Sequence, residues 1–244
     1  MRVVENGILE ASAAEEKLLA VLIDPDKFDV AEAAQFLRKI PSFTTHLFVG
    51  GSSVAPGQTE ACVKAVKAET FLPVILFPGD HAHITPEADA LLFLSLISGR
   101  NPEYLIGQQV KAVQKLRESQ LEVIPTGYIL VDGGNFSAVQ RVSGTKPLPQ
   151  EEIENIVNTA LAGEYSGKRL VYLEAGSGAK NAISGAVVSA VNKAIKIPLI
   201  VGGGIKTQTQ LLELYKAGTD MAVIGTAFEK GEFFEALEED TVKN

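Results

Sequence analysis

A single glutamate closes a run of apolar and aromatic residues in Leu-Val-Tyr-Leu-Glu-Ala-Gly-Ser-Gly, residues 170–178. The pattern predicts a strand buried on both faces, an acid at its carboxyl end and a tight turn of small residues beyond. Glu174 can then accept hydrogen bonds from a small polyol, or take the proton of one hydroxyl. A solvated rim acid is its simpler role. Tyr172, two residues earlier, faces the same way along the strand and can donate to the same ligand, or serve as an ordinary core aromatic. Two more strand-then-glycine units follow, Ile-Pro-Leu-Ile-Val-Gly-Gly-Gly-Ile over 197–205 and Asp-Met-Ala-Val-Ile-Gly-Thr over 220–226. Glycine lets backbone N–H groups approach an anion, and a helix N-terminus adds positive potential. Gly176, Ser177 and Gly178, then Gly202, Gly203 and Gly204, then Gly225 and Thr226 are expected to form a phosphate cup. One glycine-rich loop would be weak support, because such loops often carry glycine; three in succession match the phosphate site of a β/α barrel.

A second group of polar residues ends the early strands. Asp24-Pro25-Asp26-Lys27 closes the first, and Gly50-Gly51-Ser52-Ser53 follows the second. Asp24 with Ser52 would place hard oxygen ligands of the kind Mg²⁺ takes across the barrel mouth. By spacing alone, Asp24 and Asp26 could equally cap the next helix, and Asp80 and Asp132 carry the same ambiguity. His46, His81 and His83 form no convincing metal set. No nucleophile elbow, P-loop or dinucleotide fingerprint is present. Cys62 falls inside a predicted helix and reads as buried and inert.

These residues need elements to hold them. Strands are expected at 17–23, 45–49, 73–77, 88–96 and 121–131, ahead of the three glycine-terminated ones. Helices are expected at 29–39, capped by Asp29, and at 58–69, 103–119, 150–162, 182–194, 207–217 and 228–238. Residues 1–13 read as an irregular lead-in or a short helix. Residues 132–149, rich in Gly, Ser, Thr and Pro, read as the one long loop, functional or mobile. Eight strand–loop–helix units without a linker predict a single-domain TIM (β/α)8 barrel over 1–244, with function on the loops after the strands. An open doubly wound sheet is the alternative, but its glycine fingerprint belongs after the first strand, where none is found.

The 244 residues suit one α/β domain, and 46% hydrophobic against 21% charged residues exclude global disorder. A net charge of −8 with no basic stripe argues against a nucleic-acid partner. One cysteine allows no internal disulfide. No signal peptide is apparent, and the longest apolar stretch, 88–97, is too short to span a bilayer. A cytoplasmic protein is expected, any membrane contact coming from a face or an oligomer edge.

The chain resembles the geranylgeranylglyceryl phosphate synthase family, in the group shared by some archaea and Bacteroidetes, and is more distantly similar to the bacterial PcrB enzymes. The resemblance rests on Ile-Asp-Pro-Asp-Lys (23–27), Val-Gly-Gly-Ser (49–52), Tyr-Leu-Glu-Ala-Gly-Ser-Gly (172–178), Gly-Gly-Gly-Ile-Lys (202–206) and Ile-Gly-Thr-Ala (224–227), which run the length of the chain. It implies a prenyltransferase joining sn-glycerol 1-phosphate to a prenyl diphosphate, with geranylgeranyl diphosphate expected. Asp24 and Ser52 would hold Mg²⁺. Tyr172, Leu173, Glu174, Ala175, Gly176, Ser177, Gly178, Gly203, Gly204, Gly225 and Thr226 would hold glycerol phosphate, with Glu174 and Tyr172 catalytic. A homo-oligomer, dimer or hexamer, is implied as well. One position departs: PcrB-like sequences carry a lysine where this chain has Leu22, so Lys27, Arg100 or Lys146 is expected to compensate. Phe77, Leu96, Tyr104 and Tyr128 are candidates for an apolar prenyl groove. The competing readings are another phosphate-binding barrel enzyme acting on a small metabolite, and a non-catalytic phosphate-binding barrel.

Overall fold

The computed structural model describes residues 2–51 and 53–225. Eight parallel strands close into a barrel in sequence order, β1 (Leu18–Ile23), β2 (His46–Val49), β3 (Val74–Leu76), β4 (Ala90–Leu96), β5 (Glu122–Leu130), β6 (Leu170–Glu174), β7 (Leu199–Gly202) and β8 (Met221–Ile224). The seam pairs Leu18 with Met221 and Val21 with Ile224. The expected TIM barrel is therefore present. Its strands read as continuous Val/Ile/Leu runs because interior side chains cover one face and helices the other. Leu19, Val21, Leu173 and Val201 pack outward under the helices, while Ala20, Phe48, Tyr172 and Ile200 fill the interior.

The helices between strands are α2 (Ala33–Lys39), α3 (Gln58–Glu69), α4 (Gln108–Arg117), α6 (Ile153–Tyr165), α7 (Gly185–Ala194) and α8 (Gln208–Ala217). Several start where hydroxyl or carboxylate side chains satisfy free amides. Asp29 accepts from Ala31 N before α2, and Ser184 from Val187 N before α7. Thr207 and Gln210 form a capping box at α8, and Gly218, at φ +113, ends that helix. The helix expected at 103–119 divides into a π-turn, Glu103–Gly107, and α4. The helix expected at 228–238 lies outside the described residues.

Two further elements add to the sequence expectation, which for residues 1–13 allowed a short helix. Residues Val3–Ala13 form a full helix, α1, whose Val4, Ile8 and Ala11 enter the interior core. It closes the amino-terminal end of the barrel. Glu122, at the start of β5, accepts hydrogen bonds from Val4 N (2.9 Å) and Glu5 N (2.6 Å), a cap contributed by a distant strand. Asp220, just before β8, accepts from Ser12 Oγ at 3.0 Å, tying the other end of α1. The expected loop 132–149 contains α5 (Ala138–Ser143), begun by a Ser137–Gln140 capping box and ended by left-handed Gly144. A bridge from Val131 to Leu148 returns the chain to the barrel rim. Among the described residues, no helix is long and apolar enough to cross a membrane.

Candidate active site

Strand alternation sends Tyr172 and Glu174 inward at the carboxyl end of β6, and both line a cavity of about 530 Å³. Leu173 and Ala175 point the other way, into the layer beneath the helices, so only their backbone remains on the site side. The carboxyl of Glu174 is buried, 6% exposed, and accepts a hydrogen bond from Gly176 N at 2.7 Å. Burial pushes its pKa from 4.5 up to about 6; the Gly176 amide and the neighbouring Tyr172 hydroxyl act in the opposite direction and offset part of that rise. Tyr172 Oη is buried and, although close to Glu174, meets no hydrogen-bond partner at proper geometry. A buried hydroxyl left in this way beside a cavity suits a polar ligand. Phe77 stacks on Tyr172 with ring centroids 5.2 Å apart, and Tyr128 meets the same ring edge-on at 5.4 Å. This aromatic floor fixes the Tyr172 ring below the site.

The glycine cup lies beside the carboxylate. Gly178, Gly203, Gly204 and Gly225 all line the cavity, as does Ser177. Gly203 has φ +83, and a Cβ there would lie 2.5 Å from Glu174 Oε1 and 2.8 Å from Gly176 N. A side chain would push apart the strand ends that form the cup. Lys206 lines the same wall, with Nζ donating to Lys180 O at 3.1 Å. Residues 179–184 separate Gly178 from α7, so the cup is made by loop backbone there rather than by the first turn of that helix. Thr226, like Ser52, lies outside the described residues.

Asp24, just past the end of β1 and next to β8 in the barrel, also lines the cavity. Its Oδ2 pairs with Lys27 Nζ at 2.9 Å, and its Oδ1 accepts from Asp26 N at 3.2 Å. Gly51 faces it; a Cβ at that position would lie 3.1 Å from Asp24 Oδ1. Asp80 and His81 also reach the cavity, whereas Asp132 stays off it and caps Gly134 N at 2.8 Å. Among the described residues no cluster of three or more His, Cys, Asp or Glu could hold a metal ion. Cys62 is buried, and burial, with a contribution from Asp24, pushes its thiol up to about 12.

The basic residues are redistributed by the structure. Lys27 lines the cavity, but Arg100 and Lys146 do not. The Arg100 guanidinium turns back to donate to Gly99 O at 2.7 Å. Arg141, on α5, and Lys206 are the cavity cations that sequence reasoning missed. Lys206 sat in a motif already singled out, and Ser137-x-x-Gln140 was a legible helix start for α5. Leu22 lines the cavity where PcrB-like sequences have lysine.

Beyond the polar rim the cavity continues as an apolar arm between β4 and α4, lined by Ile84, Leu91, Phe93, Leu94 and Ala112. All four residues expected for a groove line the cavity, yet in different places. Phe77 and Tyr128 belong to the aromatic floor, while Tyr104 stands at the mouth, where its Oη donates to Val142 O of α5 at 3.1 Å.

Known proteins are similar to this chain over nearly its whole length. A geranylgeranylglyceryl phosphate synthase of Zunongwangia profunda is 60% identical over 228 residues, covering 93% of this chain and 97% of its own. One from Pyrococcus furiosus is 44% identical, covering 88% and 85%. The crystal structure of (S)-3-O-geranylgeranylglyceryl phosphate synthase from Thermoplasma acidophilum, in complex with its substrate sn-glycerol-1-phosphate, superposes with a TM-score of 0.90 at 37% identity and covers 97% of this chain and 96% of that one. The sequence model described as the PcrB family matches residues 11–243. A match of that extent, together with the barrel, the glycine cup and the buried glutamate, places this chain in the PcrB family.

Proposed function

We propose that the protein transfers a prenyl group from a prenyl diphosphate, geranylgeranyl diphosphate by preference, to sn-glycerol 1-phosphate, giving a prenyl ether and diphosphate. The observation that carries this reading is the joining of three chemically distinct regions in one cavity: the glycine cup with Glu174 and Tyr172, the Asp24 side, and the apolar arm between β4 and α4. A small phosphorylated metabolite would leave the arm unfilled.

In this reading the cup binds the phosphate of glycerol phosphate through loop backbone, aided by Lys206. Tyr172 and Glu174 hold the glycerol hydroxyls and aim the terminal one at the allylic carbon, so that the encounter becomes an intramolecular-like step. The hydroxyl oxygen forms the new carbon–oxygen bond as the allylic bond to diphosphate breaks, and Glu174 receives the hydroxyl proton. A carboxyl held near 6 by burial is a stronger base than an exposed one and is still mostly ionised at neutral pH. The prenyl tail lies in the arm, where apolar walls replace its contact with water. Mg²⁺ fits the donor chemistry of Asp24 and Ser52, since it takes one or two protein oxygens together with substrate phosphate oxygens and water rather than an all-protein cage. Bound there, it would neutralise charge on the diphosphate leaving group. The reading carries with it a cytoplasmic homo-oligomer that meets a membrane surface only in passing, because the product is a lipid.

The test is turnover of purified protein with sn-glycerol 1-phosphate, prenyl diphosphates of several lengths, and Mg²⁺ present or chelated. A prenyl ether formed from the 1-phosphate, and not from sn-glycerol 3-phosphate, is the expected result. Phosphate ligands that bind without any prenyl product would overturn the assignment.

A further inference from the structure

Between β2 and α3, Gly50, Gly51 and Ser53 form part of the cavity wall, and the described residues there belong to no helix or strand. The first two are fitted by close approach: a side chain on Gly50 would collide with the Phe77 carbonyl, and Gly51 abuts Asp24. Farther along, two successive amides are taken by side chains from two other loops. Val54 N donates to His83 Nε2 at 3.3 Å, from the short 3₁₀ turn His81–His83 after β3. Ala55 N donates to Asp26 Oδ1 at 3.0 Å, from the turn after β1.

Neither acceptor touches the cavity, although their neighbours Asp24, Lys27 and His81 line it. His83 shows the arrangement most clearly. Accepting at Nε2 places the ring proton on Nδ1, and Nδ1 is buried without a partner. Burial favours the neutral ring that this requires, against the nearby Asp80 and Asp26 charges. A buried donor left unsatisfied is unfavourable, and the position retains it together with an acceptor aimed at Val54.

We propose that His83 and Asp26 are positioning residues that clamp the loop after β2 and thereby set the wall that receives the diphosphate of the second substrate. This rests on the prenyl-transfer reading. The clamp acts on the Asp24 side of the cavity, whereas the glycine cup is carried by β6, β7 and β8, so loosening it alters one substrate and spares the other.

The experiment uses the full chain with both substrates varied, and adds calorimetric titration with inorganic pyrophosphate as a readout independent of turnover. His83→Leu and Asp26→Ala each remove one acceptor. Each should raise KM for the prenyl diphosphate about tenfold and weaken pyrophosphate binding in parallel, while KM for glycerol phosphate stays within about twofold. His83→Gln and Asp26→Asn keep an acceptor oxygen and should recover to within about threefold of the parent. Unchanged constants in the Leu and Ala variants, an equal rise in both KM values, or no recovery in the Gln and Asn variants would overturn the clamp. Should His83→Leu fail to fold, Asp26→Ala decides, because Asp26 is exposed. A parent enzyme that forms no prenyl ether would refute the functional reading instead, and is told apart by that result alone.

Discussion

Replacing Glu174 by glutamine separates catalysis from stability, and the structure predicts that the two move in opposite directions. The carboxyl is 6% exposed, and burial raises it from 4.5 to about 6. That rise corresponds to about 2 kcal/mol of preference for the neutral form in the folded protein. Below pH 4.5 the group is protonated whether the chain is folded or not, and it imposes no charge penalty. Between 4.5 and about 6 the unfolded chain ionises first, so folding stability falls as pH rises through this window. Above it the penalty is constant. Glutamine has no charge to desolvate, and its amide oxygen can still accept from Gly176 N. Glu174→Gln should therefore be more stable than the parent by about 2 kcal/mol at pH 7.5 and nearly equal to it at pH 4. Turnover should fall by about 10²–10⁴ through loss of the base. The parent should also show an acid limb in kcat/KM near pH 6, absent in the residual activity of the variant. Denaturant unfolding at the two pH values, with pH–rate profiles, checks each part. A variant no more stable at pH 7.5 would refute the desolvation argument, and one with full turnover would refute the base assignment.

Other perturbations probe separate parts of the molecule. Gly203→Ala puts a methyl group only 2.5 Å from Glu174 Oε1, at a backbone with φ +83, and should cost about 1–3 kcal/mol of stability and abolish measurable glycerol phosphate binding by calorimetry. Tyr104→Ala opens the cavity mouth and releases the bond to Val142 O, so chromatography of the products should show longer prenyl chains accepted; an unchanged chain-length profile would exclude Tyr104 as the ruler. Ile8→Ala hollows the interior end of α1 and should lower unfolding free energy by about 2–4 kcal/mol, with both KM values intact because the plug closes the end of the barrel away from the site.

The strands were legible because a parallel strand covered on both faces must be apolar at nearly every position, as Leu18–Ile23 and Leu170–Glu174 are. The glycine cup was legible for a related reason: Gly203 and Gly204 adopt positive φ and pass within contact of neighbouring backbone, and few other residues can. Cap signals marked α2, and the capping box of α5 was present but outweighed by the loop-forming composition around it. What the sequence could not decide was direction and distance. Lys27, Arg100 and Lys146 were the basic contacts expected, but the fold keeps Arg100 and Lys146 off the cavity and brings Arg141 and Lys206 to it beside Lys27. That Glu122 caps α1, or that His83 and Asp26 hold a loop from β2, depends on contacts between residues far apart in the chain, which local propensity does not encode. By itself the sequence determined an eight-stranded β/α barrel with glycine-rich turns after β6 and β7 and a glutamate at the end of β6. Only the tertiary structure decided that Glu174 is buried enough to be held near 6, and that an apolar arm opens between β4 and α4 beside it, because desolvation and cavity shape arise where distant elements pack.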